Sequence, residues 1–235
     1  MSAERAELPE PDKLAGAPHP RHTAELYGQG AAERAFLEAH AAGRLHHGWL
    51  LTGPRGVGKA TLAWRIARFL LAQGEDAGSG LFGAPETPAR LDIDPEHPVA
   101  RRVAALSEPG LFLLRRGANA AGTGLSDAIR VEEVRRLKSF FALSRTEGGA
   151  RVVIIDAADE MNVSAANAVL KLLEEPPERA TLLLVSHQPA RLLPTIRSRC
   201  RTLALSSLGE DDLAAALAEA GVAPEGGAGT LAALS

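Results

Sequence analysis

Residues 53–60 read Gly-Pro-Arg-Gly-Val-Gly-Lys-Ala and satisfy the phosphate-binding pattern G-x-x-x-x-G-K-[ST] at every fixed position but the last. The glycines let backbone N–H groups converge on phosphate oxygens. The helix that follows adds the positive end of its dipole, and Lys59 supplies a full charge for the β- and γ-phosphates. Gly53, Pro54, Gly56, Gly58, Lys59, Ala60 and Thr61 are therefore candidate nucleotide contacts. Where a serine or threonine hydroxyl would hold Mg²⁺ the chain has Ala60, and Thr61 comes one residue late, turned by about 100° around the helix. The loop keeps its phosphate contacts and loses a metal contact, so ATP is the expected ligand, held weakly.

Asp156 closes the run Val152-Val153-Ile154-Ile155, placing a carboxylate at the C-terminal end of a buried strand, where a phosphate loop finds its metal-linked acid. Hydrolysis also needs a group that orients water in line with the γ-phosphate. The next residue is Ala157. Asp159 and Glu160 follow, and they read either as substitutes reaching the site from another direction or, by preference, as an exposed turn and helix cap. Ala60 and Ala157 both stand where hydrolysis wants a side-chain oxygen, which argues for a nucleotide-binding domain that does not hydrolyse.

The elements around these residues alternate. Trp49-Leu50-Leu51 is a short apolar strand entering the loop, and Leu62, Ala63, Ile66, Ala67, Phe69 and Leu70 mark a buried helix leaving it. A helix is expected from Thr23 to a turn at Gly43. Strands are expected at Leu111–Leu114, Arg151–Asp156, Thr181–Val185 and, more weakly, Arg201–Leu205. Val131, Val134, Leu137 and Phe141 follow helical spacing with Glu132 and Glu133 in the first turn. A helix capped by Asn162 or Ser164 carries Val169 to Leu173 and stops at Pro176-Pro177. About five strands alternating with helices predict an open parallel α/β sheet with right-handed crossovers. The proline-rich residues 1–22 read as a disordered leader, 23–205 as the nucleotide-binding-like domain, and the Pro/Gly-rich stretch 74–98 as an insertion that contributes little to the core. From 206 to 235 a small helical unit begins with an acidic first turn and is not completed, as if the chain were part of a longer one.

Three stretches together carry a resemblance: Gly53–Thr61, Val152–Pro177 with its N-A-V-L-K-L-L-E-E-P-P string, and Leu193–Cys200 ending in Ser-Arg-Cys. They resemble the AAA+ clamp-loader family over about residues 18–208, and N-A-V-L-K-L-L-E-E-P-P and S-R-C are specific to clamp loaders among phosphate-loop proteins. The resemblance implies a P-loop AAA+ domain followed by a helical lid, and a collar that would be missing here. It implies a subunit of a hetero-oligomeric ring that helps load a sliding clamp onto primer-template DNA during replication, as part of a DNA-directed DNA polymerase assembly in the cytoplasm. Leu26-Tyr27-Gly28-Gln29 resembles the box that lines the adenine pocket, so Tyr27 joins the nucleotide set; Ser186 aligns with the family's sensor position. Arg199 would be an arginine finger reaching the γ-phosphate of a neighbouring subunit, a role suited to a permanently charged planar fork. On its residues alone it is one of several arginines (Arg191, Arg197, Arg201) at a helix end. The two readings of the whole are a non-hydrolysing stator and an active ATPase motor in which Thr61 with Asp159 or Glu160 replaces the missing groups.

Composition bounds these readings. Lys and Arg number 26 against 29 Asp and Glu, a net charge of −3, which excludes a strongly basic nucleic-acid glove and leaves DNA contact to the assembly. One cysteine, Cys200, excludes a disulfide framework, and with no cysteine in 74–98 the family's cysteine-built zinc insert has no counterpart, so no metal is expected. Cys200 reads as packing, and His46, His47 and His187 as weak candidates. The chain shows no signal peptide and no run of about 20 apolar residues, so no membrane contact is expected.

Overall fold

The computed structural model describes residues 10–13, 17–76, 88–142 and 149–221. Residues 1–9 and 14–16 of the expected leader, 77–87 of the expected insertion and 222–235 of the expected lid lie outside them. In chain order the elements are α1 (Gly30–Ala41), β1 (Gly48–Thr52), α2 (Lys59–Asp76), α3 (Pro98–Ala104), β2 (Leu111–Leu114), α4 (Val131–Ala142), β3 (Arg151–Asp156), α5 (Val163–Glu174), β4 (Ala180–Val185), α6 (Pro194–Arg197), β5 (Arg201–Ala204) and α7 (Glu210–Glu219). The five strands form one parallel sheet in the order β2-β3-β4-β1-β5, with Leu51 and Asp156 both in register with Val185.

Alternation along fully buried strands sends neighbouring side chains to opposite faces. Trp49, Leu51, Val152, Ile154 and Leu183 pack against α1, α2 and α3; Leu50, Val153, Ile155, Leu182 and Leu184 pack against α4, α5 and α6. The expected α/β sheet is present, and the Asn162 side chain caps α5 by accepting from Ala165 N at 2.8 Å. The first helix is shorter than expected: it begins at Gly30, because Gly28 takes a left-handed turn at φ +68°.

The described ends of two stretches read as unpacked, residues 17–22 and 88–98, are packed, and one cause accounts for both. Helix α2 is apolar nearly all round, yet it carries Arg65 and Arg68, 3 % and 9 % exposed. A buried guanidinium is tolerated only with its donors satisfied. Arg68 donates to the carbonyls of Arg21 and Thr23 at 2.9 and 3.1 Å, and Arg65 to Ala24 O, Glu33 and Asp92. Irregular chain offers free carbonyls, so residues 17–24 are drawn onto α2 as a strap rather than forming a leader. Asp92 brings in the end of the expected insertion. There Leu91 is 1 % exposed within the core and its N–H donates to Glu33 at 2.7 Å, and α3 follows directly, a helix the proline content had concealed. Leu91→Ala should accordingly cost about 2–5 kcal/mol of unfolding free energy in a urea titration, the range for emptying a leucine site in a core; a change below about 0.5 kcal/mol would restore the reading of a dispensable excursion.

Candidate nucleotide site

In a parallel sheet the strands end on one edge, and the loops that leave that edge meet over it. Here the phosphate loop leaves β1, Asp156 ends β3, Ser186 follows β4, and Arg115 and Arg116 follow β2. The chain after β5 is fixed over the same edge by the buried Gln29, whose side chain donates to Ser206 O at 2.8 Å and accepts from Ser206 N at 3.3 Å. Helix α7, the stretch read as the opening of a lid, therefore lies across the loop. Together these elements enclose a cavity of about 370 Å³, within the usual size of a small-ligand site.

The loop geometry explains its glycines. Gly53 sits at φ +142°, and a Cβ there would lie 2.3 Å from Leu205 O; a Cβ on Gly58, at φ +95°, would lie 2.7 Å from Leu26. Only glycine lets the loop lie against β5 on one side and the Leu26–Gln29 box on the other. Lys59 begins α2 and is 3 % exposed, with Nζ donating to Gly53 O at 2.8 Å and to Pro54 O. Burial pushes its pKa down to about 8, helped by Arg55 and opposed by Asp156 and Asp159. Asp156, 7 % exposed, moves the other way: burial pushes its carboxyl up to about 7, with the charges of Asp12, Glu160 and Asp159 adding to the effect and Lys59 opposing it.

The cavity brings together Tyr27, Gly56, Gly58, Lys59, Ala60, Thr61 and Asp156. Gly53 and Pro54 stand behind it as the carbonyls that receive Lys59. Ser186 is fully buried, its N–H donating to Leu51 O at 2.9 Å; its neighbour His187 reaches the cavity wall. Tyr27 places its hydroxyl against the Glu219 carboxylate of α7, which raises the phenol's pKa. The backbone cradle, a buried lysine and an aromatic wall fit a nucleotide's phosphates and base, whereas Ala60 offers nothing to a metal. Asp159 is not the exposed turn expected from sequence. It is 8 % exposed and accepts from His187 N at 2.9 Å, so it braces the end of β4, while Glu160 on the cavity wall pairs with Arg116 at 2.9 Å.

Arg199 is not brought to this cavity. Arg201 is in register with Trp49 at the start of β1, so Arg199 lies at the N-terminal edge of the sheet, opposite the phosphate loop. Its guanidinium is 39 % exposed, pairs with Glu174 at 3.0 Å and donates to Thr195 O at 3.2 Å. Cys200 packs against the α4–α6 face of the core, and burial pushes its thiol up to about 12, which leaves it unreactive. His46 and His47 stack on one another and bond the carbonyls of Gly48 and Leu173. Among the described residues no helix is long and apolar enough to cross a membrane.

Residues 28–209 match the family described as DNA polymerase III, delta subunit. The chain belongs to that family. It is 42% identical over 154 residues to DNA polymerase III subunit delta' of Pseudomonas aeruginosa, covering 66% of this chain and 41% of the relative. It is 33% identical over 174 residues to subunit delta' of Escherichia coli, covering 71% and 44%, and 29% identical over 194 residues to subunit gamma of Buchnera aphidicola from Schizaphis graminum, covering 83% and 47%. The chain thus spans less than half the length of these relatives. A solved Thermotoga maritima RuvB branch-migration motor aligns over 84% of this chain and 53% of its own at TM-score 0.49 and 17% identity. Family membership agrees with the resemblance carried by the N-A-V-L-K-L-L-E-E-P-P and Ser-Arg-Cys strings.

Proposed function

We propose that this chain is the ATPase-fold part of a delta-prime clamp-loader subunit that acts as a stator: it does not hydrolyse ATP itself and offers Arg199 to the nucleotide of a neighbouring subunit. The observation that carries the reading is the pair Ala60 and Ala157 at the mouth of an otherwise intact phosphate loop. Lys59 and the loop amides would hold phosphates, with Tyr27 beside the base. Asp156 remains for a metal, without the hydroxyl that Ala60 replaces. Ser186 would sense the γ-phosphate only through the β4 end that it anchors. The partners in this reading are the other subunits of a hetero-oligomeric ring and, through them, the sliding clamp and primer-template DNA. The arginines from Arg191 to Arg201 then belong to the subunit interface.

A second reading, an ATP-hydrolysing motor subunit, is favoured by the intact Lys59 and Asp156. Of its substitutes Thr61 lines the cavity, but Asp159 is committed to His187 N and Glu160 to Arg116. Steady-state ATP hydrolysis by the purified chain with Mg²⁺ decides between them, with Lys59→Ala as the blank. The stator reading expects turnover equal to the blank; turnover well above it makes this subunit a motor.

A further inference from the structure

The nucleotide cavity has a wall that sequence motifs do not supply. Pro11, Asp12 and Lys13 line it, facing the same space as Lys59 and Asp156. The Asp12 side chain is 0 % exposed, and a charge buried to that degree requires partners. It has two. Arg115, from the loop that leaves β2, donates Nη1 to Asp12 Oδ1, and His19 Nε2 lies 3.1 Å from Oδ2. His19 is itself fixed, 2 % exposed, with Nδ1 accepting from Arg21 N at 3.0 Å. Glu10 repeats the arrangement nearer the rim, pairing with Arg21 at 2.5 Å and with Arg115 at 3.4 Å. Two acids of one short segment thus take two cations of the domain, one of them on the edge from which the site is built.

We propose that residues Glu10–Lys13 are a tethered competitor for the phosphate site, in which Asp12 sets a buried carboxylate in the wall of the cavity that a nucleotide's phosphates would enter and has to leave before they do. This rests on the phosphate loop being able to take a nucleotide. The electrostatics support it: Asp12 is already felt by Asp156, where it raises the pKa, and a triphosphate brings several more negative charges into the same poorly solvated space. The held segment is a turn closed by Lys13 N–H donating to Glu10 O at 3.2 Å, with no strand or helix to lose on release. Its ties to the domain include these ion pairs, of which the Glu10 pairs nearer the rim are the more open to salt and competing anions.

The test uses the full chain and two variants, Asp12→Asn and Glu10→Gln. Each keeps the side chain's size and removes one charge. ATP binding is measured by calorimetry, and amide hydrogen exchange of residues 55–61 is followed without nucleotide. Asp12→Asn should bind ATP about tenfold more tightly than the wild type and Glu10→Gln a few-fold more tightly, with exchange across the loop accelerated in the same order. Unchanged or weaker binding by both variants overturns the proposal, weaker binding meaning that the segment is a supporting wall. If the variants bind ATP no better than the wild type, yet adding Lys59→Ala abolishes binding in every background, the nucleotide reading stands and only the competitor fails. If no background binds ATP, the nucleotide reading fails and takes the competitor with it.

Discussion

Replacing Arg199 with alanine should leave the isolated chain folded and reduce ATP turnover of the assembled loader. Its pair with Glu174 is half-exposed and its backbone acceptor, Thr195 O, belongs to a short surface helix, so the stabilising contribution lies below about 1 kcal/mol and the thermal midpoint of the chain should barely move. An arginine finger acting across an interface is worth about 10³–10⁵ in turnover at the site it serves. The assembly should therefore lose the whole share of turnover contributed by one site, with the remaining sites unaffected. Arg199→Lys should not rescue it, because an ammonium cannot reproduce the planar fork that meets phosphate oxygens in two places. On the proposed stator reading the effect arises in trans. At the N-terminal edge of the sheet Arg199 cannot reach its own phosphate loop, which leaves the edge where the strands end, so a turnover defect has to arise in a neighbour. Turnover unchanged in the reconstituted loader, with the variant incorporated, would remove Arg199 from the mechanism.

The parts of this architecture legible in the sequence are those whose signal is contiguous. Val152 to Asp156 is β-branched, apolar and closed by an acid, and nothing but a central strand suits it. The phosphate loop is likewise one string, read by spacing. The N-terminal strap and Leu91 were not legible because prolines report an irregular backbone and say nothing of whether that backbone is packed. The pertinent signal lay elsewhere, in Arg65 and Arg68 three residues apart on a helix otherwise apolar, each needing acceptors that only irregular chain supplies. Asp12, Arg116 and Glu219 reach the cavity from segments far apart in sequence, and no local pattern marks such a convergence. Asp159 illustrates the same limit: an acid after a strand looks solvated until the next strand's end delivers His187 N–H to it.

Asp156→Asn should stabilise the protein at pH 8 by about 2–4 kcal/mol and have little effect at or below pH 4, an outcome opposite to that of deleting a paired carboxylate. The sign follows from the direction of the shift. The carboxyl rises from 3.8 to about 7 on folding, chiefly because burial strips water from it and because Asp12, Glu160 and Asp159 crowd it with like charge. Below about pH 4 it is neutral in both the folded and unfolded chain, and no stability is lost. As pH rises from 4 toward 7 the unfolded chain releases the proton while the folded one retains it, and folding weakens by about 1.4 kcal/mol per unit of separation. Above 7 the loss is complete, and asparagine, which has no charge to desolvate, avoids it. The gain is held below the full value because Lys59 loses an attractive partner. Urea unfolding of both proteins at pH 4 and pH 8 measures the difference. Equal destabilisation at the two pH values would show an ionised Asp156 held by Lys59, whereas Lys59 Nζ is turned onto Gly53 O and Pro54 O. Perturbed carboxyls concentrate where charge has to be met, which fits Asp156 in the wall of the cavity beside the phosphate loop. On that argument the variant that is more stable at pH 8 should also be the one whose nucleotide binding no longer responds to Mg²⁺.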